Sequence, residues 1–158
     1  VNFFGSLHCT RAALQELKAR QGQIVVVSSV AGLTPLLGRT GYSASKHALH
    51  GLFESLRSEL SGTGVGVTVV CPGFTATNID RAALDFDGTP TRHPQSTLGK
   101  VATADETADN IFRAAERDKA TAVFSGVGRL SWAVSRVSPM LYEKLMTRSM
   151  AKELERED

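Results

Sequence analysis

Two short apolar runs, separated by a long amphipathic segment, constrain the fold most strongly. Residues 24–28 and 65–71 are dominated by valine and isoleucine, a pattern typical of strands buried on both faces of a sheet. Between them, residues 41–60 place apolar side chains at helical spacing. Strand, helix and strand in this order indicate a parallel α/β sheet with crossover connections.

The rest of the chain continues this alternation of helices and strands. A helix is predicted over residues 1–20, which Gly22 would end. The capping box Thr103-Ala-Asp-Glu106 starts another helix, whose apolar face would hold Ala108, Ile111, Phe112 and Ala115. A third strand is expected over residues 121–125. The predicted class is α/β, with a parallel sheet flanked by helices.

Two segments fall outside this core alternation. Residues 78–100 are long and polar and are expected to form a substrate lid. The basic side chains of this lid would either meet an acidic substrate or acyl-carrier partner or, as we favour, be solvated; they are Arg81, Arg92, His93 and Lys100. Residues 127–158 are expected to form a helical tail, with Leu141, Leu145 and Met150 on one face. We expect that face to dock on its own domain or a subunit partner rather than on a membrane.

Composition excludes several classes of protein. The 158 residues fit one domain, and a net charge of +2 does not favour nucleic-acid binding. Cys9 and Cys71 are predicted to be small core residues, and the histidine spacing gives no metal site. Neither a signal peptide nor a run of about 18 apolar residues is present, so the cytoplasm is the expected compartment.

The pair Tyr42 and Lys46 suggests proton chemistry. Residues four apart share a helix face, so the Lys46 ammonium is expected close to the Tyr42 phenol. A cation in a poorly solvated pocket favours the phenolate and brings a phenol toward the working pH. Ser29, thirteen residues upstream of the tyrosine, would end a strand beside them. Its neighbour Ser28 is expected to point to the other side of the sheet, since strand side chains alternate.

Several motifs together resemble the short-chain dehydrogenase/reductase family. They are Ile24-Val-Val-Val-Ser-Ser-Val-Ala-Gly32, Tyr42-Ser-Ala-Ser-Lys46 and Val70-Cys-Pro-Gly73. Asn2 lies 27 residues before Ser29, where the family places its catalytic asparagine, and residues 72–77 resemble the segment after the sixth strand. The resemblance is strong over residues 1–126 and loose over the tail.

The resemblance implies an NAD- or NADP-dependent oxidoreductase that interconverts an alcohol and a carbonyl compound. Tyr42 would be the general acid or base, Ser29 would bind the substrate oxygen, and Lys46 would lower the phenol pKa and hold the ribose. Asn2, in a locally disturbed helix, would hold a water that links Lys46 to solvent. Cofactor contacts are implied for Tyr42, Lys46, Pro72, Gly73, Thr75 and Thr77. Leu33, Pro35, Leu36 and Leu37 would either wall an apolar substrate pocket or pack beneath the lid.

The family's Gly-rich phosphate-binding turn has no counterpart in this sequence. We therefore expect the C-terminal, catalytic half of such an enzyme, carrying strands five to seven of a Rossmann-type sheet and lacking roughly the first hundred residues. Its first strand would have lost a neighbour, so the missing half or another chain should cover that edge. Two alternatives stay open: a non-catalytic fragment with an assembly role, or an extended-family epimerase or dehydratase. The family likeness further implies a homodimer or homotetramer.

Overall fold

The structure, a computed structural model, describes residues 2–78, 88–89 and 99–151. The elements in chain order are α1 (Asn2–Arg20), β1 (Gln23–Val27), a 3₁₀ turn (Val30–Gly32), α2 (Thr40–Glu59), β2 (Gly66–Cys71), α3 (Ala104–Glu116), β3 (Thr121–Val123), α4 (Gly126–Val137) and α5 (Pro139–Ser149). The predicted helix at residues 41–60 is α2, and each of the three predicted strands is present within two residues of its expected ends. Most of the expected lid, including Arg81, Arg92 and His93, lies outside the described residues.

The three strands form one parallel sheet in the order β1-β2-β3. Ile24 pairs with Val67 and Val26 with Val69, while β2 and β3 pair further along through Val70 and Ala122. The parallel α/β class predicted from the alternation of elements is therefore confirmed. In the part of the chain that the structure describes, β1 pairs with β2 alone.

The main core lies between one face of the sheet and α2. Phe53 and Leu49 of α2 are almost fully buried and pack against β1 and β2 residues such as Val26 and Val69. Partly buried side chains of α1, among them Leu14, add to this cluster from the edge. Burying one such aliphatic or aromatic side chain contributes about 1.5–3 kcal/mol, so this layer holds α2 firmly on the sheet.

The opposite face of the sheet is covered unevenly. Val70 and Ala122 pack beneath Ala114 of α3. On β1, however, Val25 and Val27 are exposed, Val27 to 51%. In the part of the chain that the structure describes, the expectation that β1 is buried on both faces was therefore wrong, because α3 covers β2 and β3 but does not extend over β1.

Three side-chain predictions on the helices were also wrong. Phe112 on α3 is 68% exposed, because the inward face of this helix is formed by Ile111 and Ala114 instead. On α5 the buried residue is Tyr142, whereas Leu141 and Leu145 face outward; Met150, which follows the helix, is buried as predicted. Cys9 is exposed, because α1 lies at the edge of the core and has no fully buried residue.

The predicted capping box is confirmed, and two further helix ends are satisfied by local hydrogen bonds. Both halves of the capping box are formed, with Thr103 Oγ1 accepting from the Glu106 amide and Glu106 accepting from the Thr103 amide. Ser138 caps α5, and Pro139 occupies its first turn. At the end of α1, Gln21 adopts a left-handed φ of 51°, and the Gly22 amide donates to Leu17 O at 2.9 Å.

None of the helices that the structure describes is long and apolar enough to cross a membrane.

Candidate active site at the carboxyl ends of β1 and β2

Ser29 lies just beyond the carboxyl end of β1. Its backbone is extended, and its side chain caps the 3₁₀ turn, with Oγ accepting from the Ala31 amide at 3.2 Å. Ser28 is buried, and its Oγ donates to the carbonyl oxygen of Lys46 at 3.4 Å. The two hydroxyls thus have separate surroundings, as the alternation along a strand predicts.

Gly32 brings the turn after Ser29 into close contact with α2. A Cβ atom at this position would lie 2.5 Å from Ser28 Oγ and 2.9 Å from the carbonyl oxygen of Lys46. Real Cβ atoms do not approach a backbone carbonyl so closely, so the contact requires glycine. This close contact sets the distance between α2 and the 3₁₀ turn that Ser29 caps, which we call the serine turn.

Tyr42 and Lys46 lie on the same side of α2, as the four-residue spacing predicts. The Lys46 ammonium lies 5.7 Å from the centroid of the Tyr42 ring. It also donates to the Val27 carbonyl at 3.0 Å, which ties α2 to the end of β1. Burial lowers the pKa of the Lys46 amine, because desolvation disfavours the charged form. The Lys46 side chain beside Tyr42 is half-buried.

Asn2 is brought to the first turns of α2 from the start of α1. Its Nδ2 donates to Ser45 Oγ at 3.2 Å, and Ser45 Oγ donates in turn to the Tyr42 carbonyl at 2.8 Å. The side chain of Asn2 thus reaches the helix segment that carries Tyr42 and Lys46. Its water-holding role stays a prediction.

The segment after β2 packs against the starts of α3 and α4. A Cβ on Gly73 would lie 3.0 Å from Ser125 Cβ, so this glycine permits a close approach to the residue that caps α4. Thr75 Oγ1 lies 3.1 Å from Thr107 Oγ1 on α3. Pro72 and Thr77 belong to the same segment, which leaves the sheet next to the carboxyl end of β1. Ligands of open α/β sheets bind at this edge.

The residues that were predicted to lie near the substrate have different surroundings in the structure. Leu33 belongs to the main core and also lines a cavity between α2 and the tail helix. Pro35 is exposed, while Leu36 and Leu37 are half-buried. Of the predicted basic lid residues, Lys100 is described, and it forms an ion pair of 3.3 Å with Glu106.

Sequence reasoning missed a polar chain beneath this edge, which runs from the buried Cys71 and His50 to the exposed Glu54. Cys71 Sγ lies 3.5 Å from His50 Nε2, and His50 Nδ1 lies 2.8 Å from Glu54 Oε1. Since the carboxylate can only accept, we assign the imidazole proton to Nδ1, which leaves Nε2 to accept from the thiol. Burial, followed by the negative charge of Glu54, raises the pKa of the Cys71 thiol to about 12. The four-residue spacing of His50 and Glu54 was the available signal for one half of this chain.

The two cysteines are expected to differ sharply in reactivity. With a pKa of about 12, Cys71 has roughly 1 thiolate in 10,000 molecules at about pH 8, and the thiolate is the nucleophile. Cys9 is exposed. Treatment of the native protein with iodoacetamide should therefore alkylate Cys9 and spare Cys71, as read by peptide mass spectrometry. Labelling in urea is the control and should modify both; equal labelling rates under native conditions would contradict the buried thiol.

Comparison with known proteins agrees with this architecture. Residues 1–87 match the family model for short chain dehydrogenases. The chain is 35% identical to Dehydrogenase/reductase SDR family member 7B of Xenopus tropicalis, over 99% of this chain and 52% of that protein. It is 32% identical to Dehydrogenase/reductase SDR family protein 7-like of Anopheles gambiae, over 96% of this chain and 49% of that one.

A solved structure shares the fold. The crystal structure of a short chain dehydrogenase from Burkholderia cenocepacia in complex with NADP superimposes with a TM-score of 0.76 at 23% identity, covering 92% of this chain and 56% of that one. The fold is thus that of a Rossmann-type dehydrogenase sheet. The chain belongs to the short-chain dehydrogenase/reductase family, and it spans about half the length of the curated relatives it matches.

Proposed function

We propose that this chain carries the catalytic residues of an NAD- or NADP-dependent oxidoreductase that interconverts an alcohol and a ketone or aldehyde. One observation carries the proposal: the Lys46 ammonium lies 5.7 Å from the centroid of the Tyr42 ring and donates to the Val27 carbonyl, beside the strand end that bears Ser29. Family membership supports the same reaction class.

In this proposal each residue acts at a stated atom. Tyr42 Oη gives a proton to the carbonyl oxygen during reduction and takes it back during oxidation. Lys46 places its positive charge beside the Tyr42 ring. Ser29 Oγ donates a hydrogen bond to the substrate oxygen, where negative charge develops in the transition state. Since Ser29 Oγ accepts from the Ala31 amide, its own proton is free to be donated to the substrate.

The residues present fit a nicotinamide nucleotide. Lys46 uses its ammonium to donate to Val27 O, and an ammonium has three donors, which leaves donors for ribose hydroxyls. Thr75, Thr77, Pro72 and Gly73 would hold the nucleotide at the end of β2. The bound nicotinamide supplies or accepts the hydride. The solved neighbour of this fold was crystallised with NADP, and either nucleotide satisfies the proposal.

We further propose that additional polypeptide pairs with the open side of β1 and completes the nucleotide site. Two observations support this: β1 pairs with β2 alone among the described residues, and the chain spans about half of its relatives. The working form would be a homodimer or homotetramer.

Turnover by the full-length polypeptide that contains this chain tests the function. Nicotinamide absorbance should change when NADH or NADPH is mixed with the protein and a panel of ketones and aldehydes, and in the reverse direction with secondary alcohols. The chain of residues 1–158 alone should bind either nucleotide more weakly than the full-length polypeptide. No turnover by the full-length polypeptide with either nucleotide, across the whole panel, would remove the proposal.

A further inference from the structure

We propose that Tyr142, on α5, is a positioning residue that sets the preference for carbonyl substrates by anchoring residues 33–39, the loop between Ser29 and Tyr42. This inference rests on the proposed function, because the loop is the part of the chain that joins the two predicted catalytic residues. It assigns a role to the tail, the part of the chain to which the family likeness extends least.

The anchor is a buried hydrogen-bond junction between distant parts of the chain. Tyr142 Oη lies 2.8 Å from the Pro35 carbonyl oxygen and 3.1 Å from Thr34 Oγ1. Tyr142 is 8% exposed and Thr34 is 1% exposed, so both hydroxyls are shielded from water. The phenol donates toward the Pro35 carbonyl and Thr34 Oγ1, while the Thr34 hydroxyl itself donates to the Val30 carbonyl at 3.3 Å. An unmade bond at such a buried position costs the desolvation of its polar groups.

The anchored residues are mechanically connected to the serine turn. The backbone amides of Leu33 and Thr34 both donate to the Val30 carbonyl, at 2.9 Å and 3.1 Å. Val30 directly follows Ser29, which caps this turn. A displacement of the loop at Pro35 would therefore also displace Val30 and Ser29, at the N-terminal end of the loop.

In the other direction the loop continues toward Tyr42. Leu36 and Leu37 follow the anchor and are half-buried, and Gly38 then turns the chain with a left-handed φ of 65°. Glycine adopts this left-handed conformation without the strain that other residues incur. The loop ends where α2 begins at Thr40. The positions of the apolar side chains Leu36 and Leu37 are thus set by the Tyr142 hydrogen bonds on one side and by the start of α2 on the other.

Packing alone does not hold this loop. A cavity of about 340 Å³ lies beside the junction. Its lining includes Leu33 and Pro35 of the loop, Pro139 and Tyr142 of the tail helix, and His47, His50 and Glu54 of α2. On this side the loop borders open space, while Leu33 and Thr34 at its start are buried. The exposed Pro35 is thus held on the tail side by the directional bonds of Tyr142.

The decisive variant is Tyr142→Phe, which keeps the ring and removes the hydroxyl. We expect the ratio of kcat/KM for a small ketone to that for a bulky apolar ketone to change by about tenfold or more. The change should fall mainly on KM, since the variant displaces Leu36 and Leu37 and does not alter the proton donor. Thr34→Val, which is close in shape but lacks the second hydroxyl, should shift the preference in the same direction.

Ser138→Ala is the matched control. It removes the side-chain cap of the helix that carries Tyr142 but touches no residue of the loop, so it tests whether mere weakening of α5 produces the effect. We expect this variant to keep the wild-type substrate preference. Equal shifts in Ser138→Ala and Tyr142→Phe, or no shift in Tyr142→Phe, would overturn the proposal.

Hydrogen exchange separates this proposal from the proposed function. In Tyr142→Phe the amides of residues 33–39 should exchange faster than in the wild type, while those of Ser138→Ala should not. If the wild-type protein turns over no carbonyl compound, the proposed function fails, and the exchange rates still decide whether Tyr142 anchors the loop. Unchanged exchange in Tyr142→Phe overturns the anchor whatever the turnover.

Discussion

Replacing Tyr42 with phenylalanine is expected to lower turnover by the full-length enzyme by about 10²–10⁴-fold, the range that a positioned general acid or base supplies. The variant keeps the aromatic ring that faces the Lys46 ammonium and removes only the titrating hydroxyl. Folding should therefore be little changed, and the loss should fall on kcat rather than on the KM for the carbonyl substrate. Steady-state kinetics with the best carbonyl substrate, together with a thermal melt and nucleotide titration, measure these effects.

A matched variant on the same helix is Ser55→Ala. Ser55 is exposed, and its hydroxyl donates only to the Gly51 carbonyl within its own helix. It should leave kcat within a few-fold of the wild-type value, since it lies far along α2 from Tyr42. If Tyr42→Phe retained wild-type turnover, or if it lost turnover only because it failed to fold, the assigned proton donor would be wrong.

Gly32→Ala is expected to damage both stability and turnover. The new Cβ would meet the Lys46 carbonyl oxygen at 2.9 Å and Ser28 Oγ at 2.5 Å. A backbone carbonyl cannot rotate away as a side chain can, so the serine turn must move off α2. Overpacking of this kind costs about 1–3 kcal/mol. Displacement of a catalytic group by about 1 Å can cost about 10²-fold in rate, so we expect a comparable loss of kcat.

Gly51→Ala, on α2 itself, is the control for Gly32→Ala and should have the opposite effect on stability. A Cβ at Gly51 would meet nothing within 4 Å, and the position lies inside the helix. Alanine there should raise stability by about 0.5–1 kcal/mol, because glycine in a helix carries an entropic cost. Urea unfolding and turnover of the two variants measure the contrast. A stable, fully active Gly32→Ala protein would show that the turn and α2 do not approach as described.

Local patterns were enough to predict the elements that carry the site. The position of α2 follows from its apolar spacing, and the pairing of Tyr42 with Lys46 follows from the geometry of a helix turn. The capping box at Thr103 was predicted because its two hydrogen bonds join residues three apart in the chain. Each of these features involves neighbours in sequence, so tertiary packing was not needed to infer it.

The errors fall where burial depends on a distant element. The valines of β1 look identical in sequence, but Val26 is buried by α2 whereas Val27 lies on a face that α3 does not cover. Leu141 and Tyr142 are adjacent on one helix, and only the position of the Thr34–Pro35 loop decides that Tyr142 is the buried one. Apolar character predicts that a side chain will be buried if something covers it, not which surface will be covered.

The sequence by itself determined the parallel α/β class, the helix that places an ammonium beside a phenol, and the serine at a strand end. Only the tertiary structure decided how these groups meet: the glycine contact that seats the serine turn on α2, the Cys71–His50–Glu54 chain beneath it, and the anchor from Tyr142 to Pro35. Helix and strand periodicity are properties of neighbouring residues. The contacts that arrange the site join residues as far apart as 108 positions, and only packing of the whole chain brings them together.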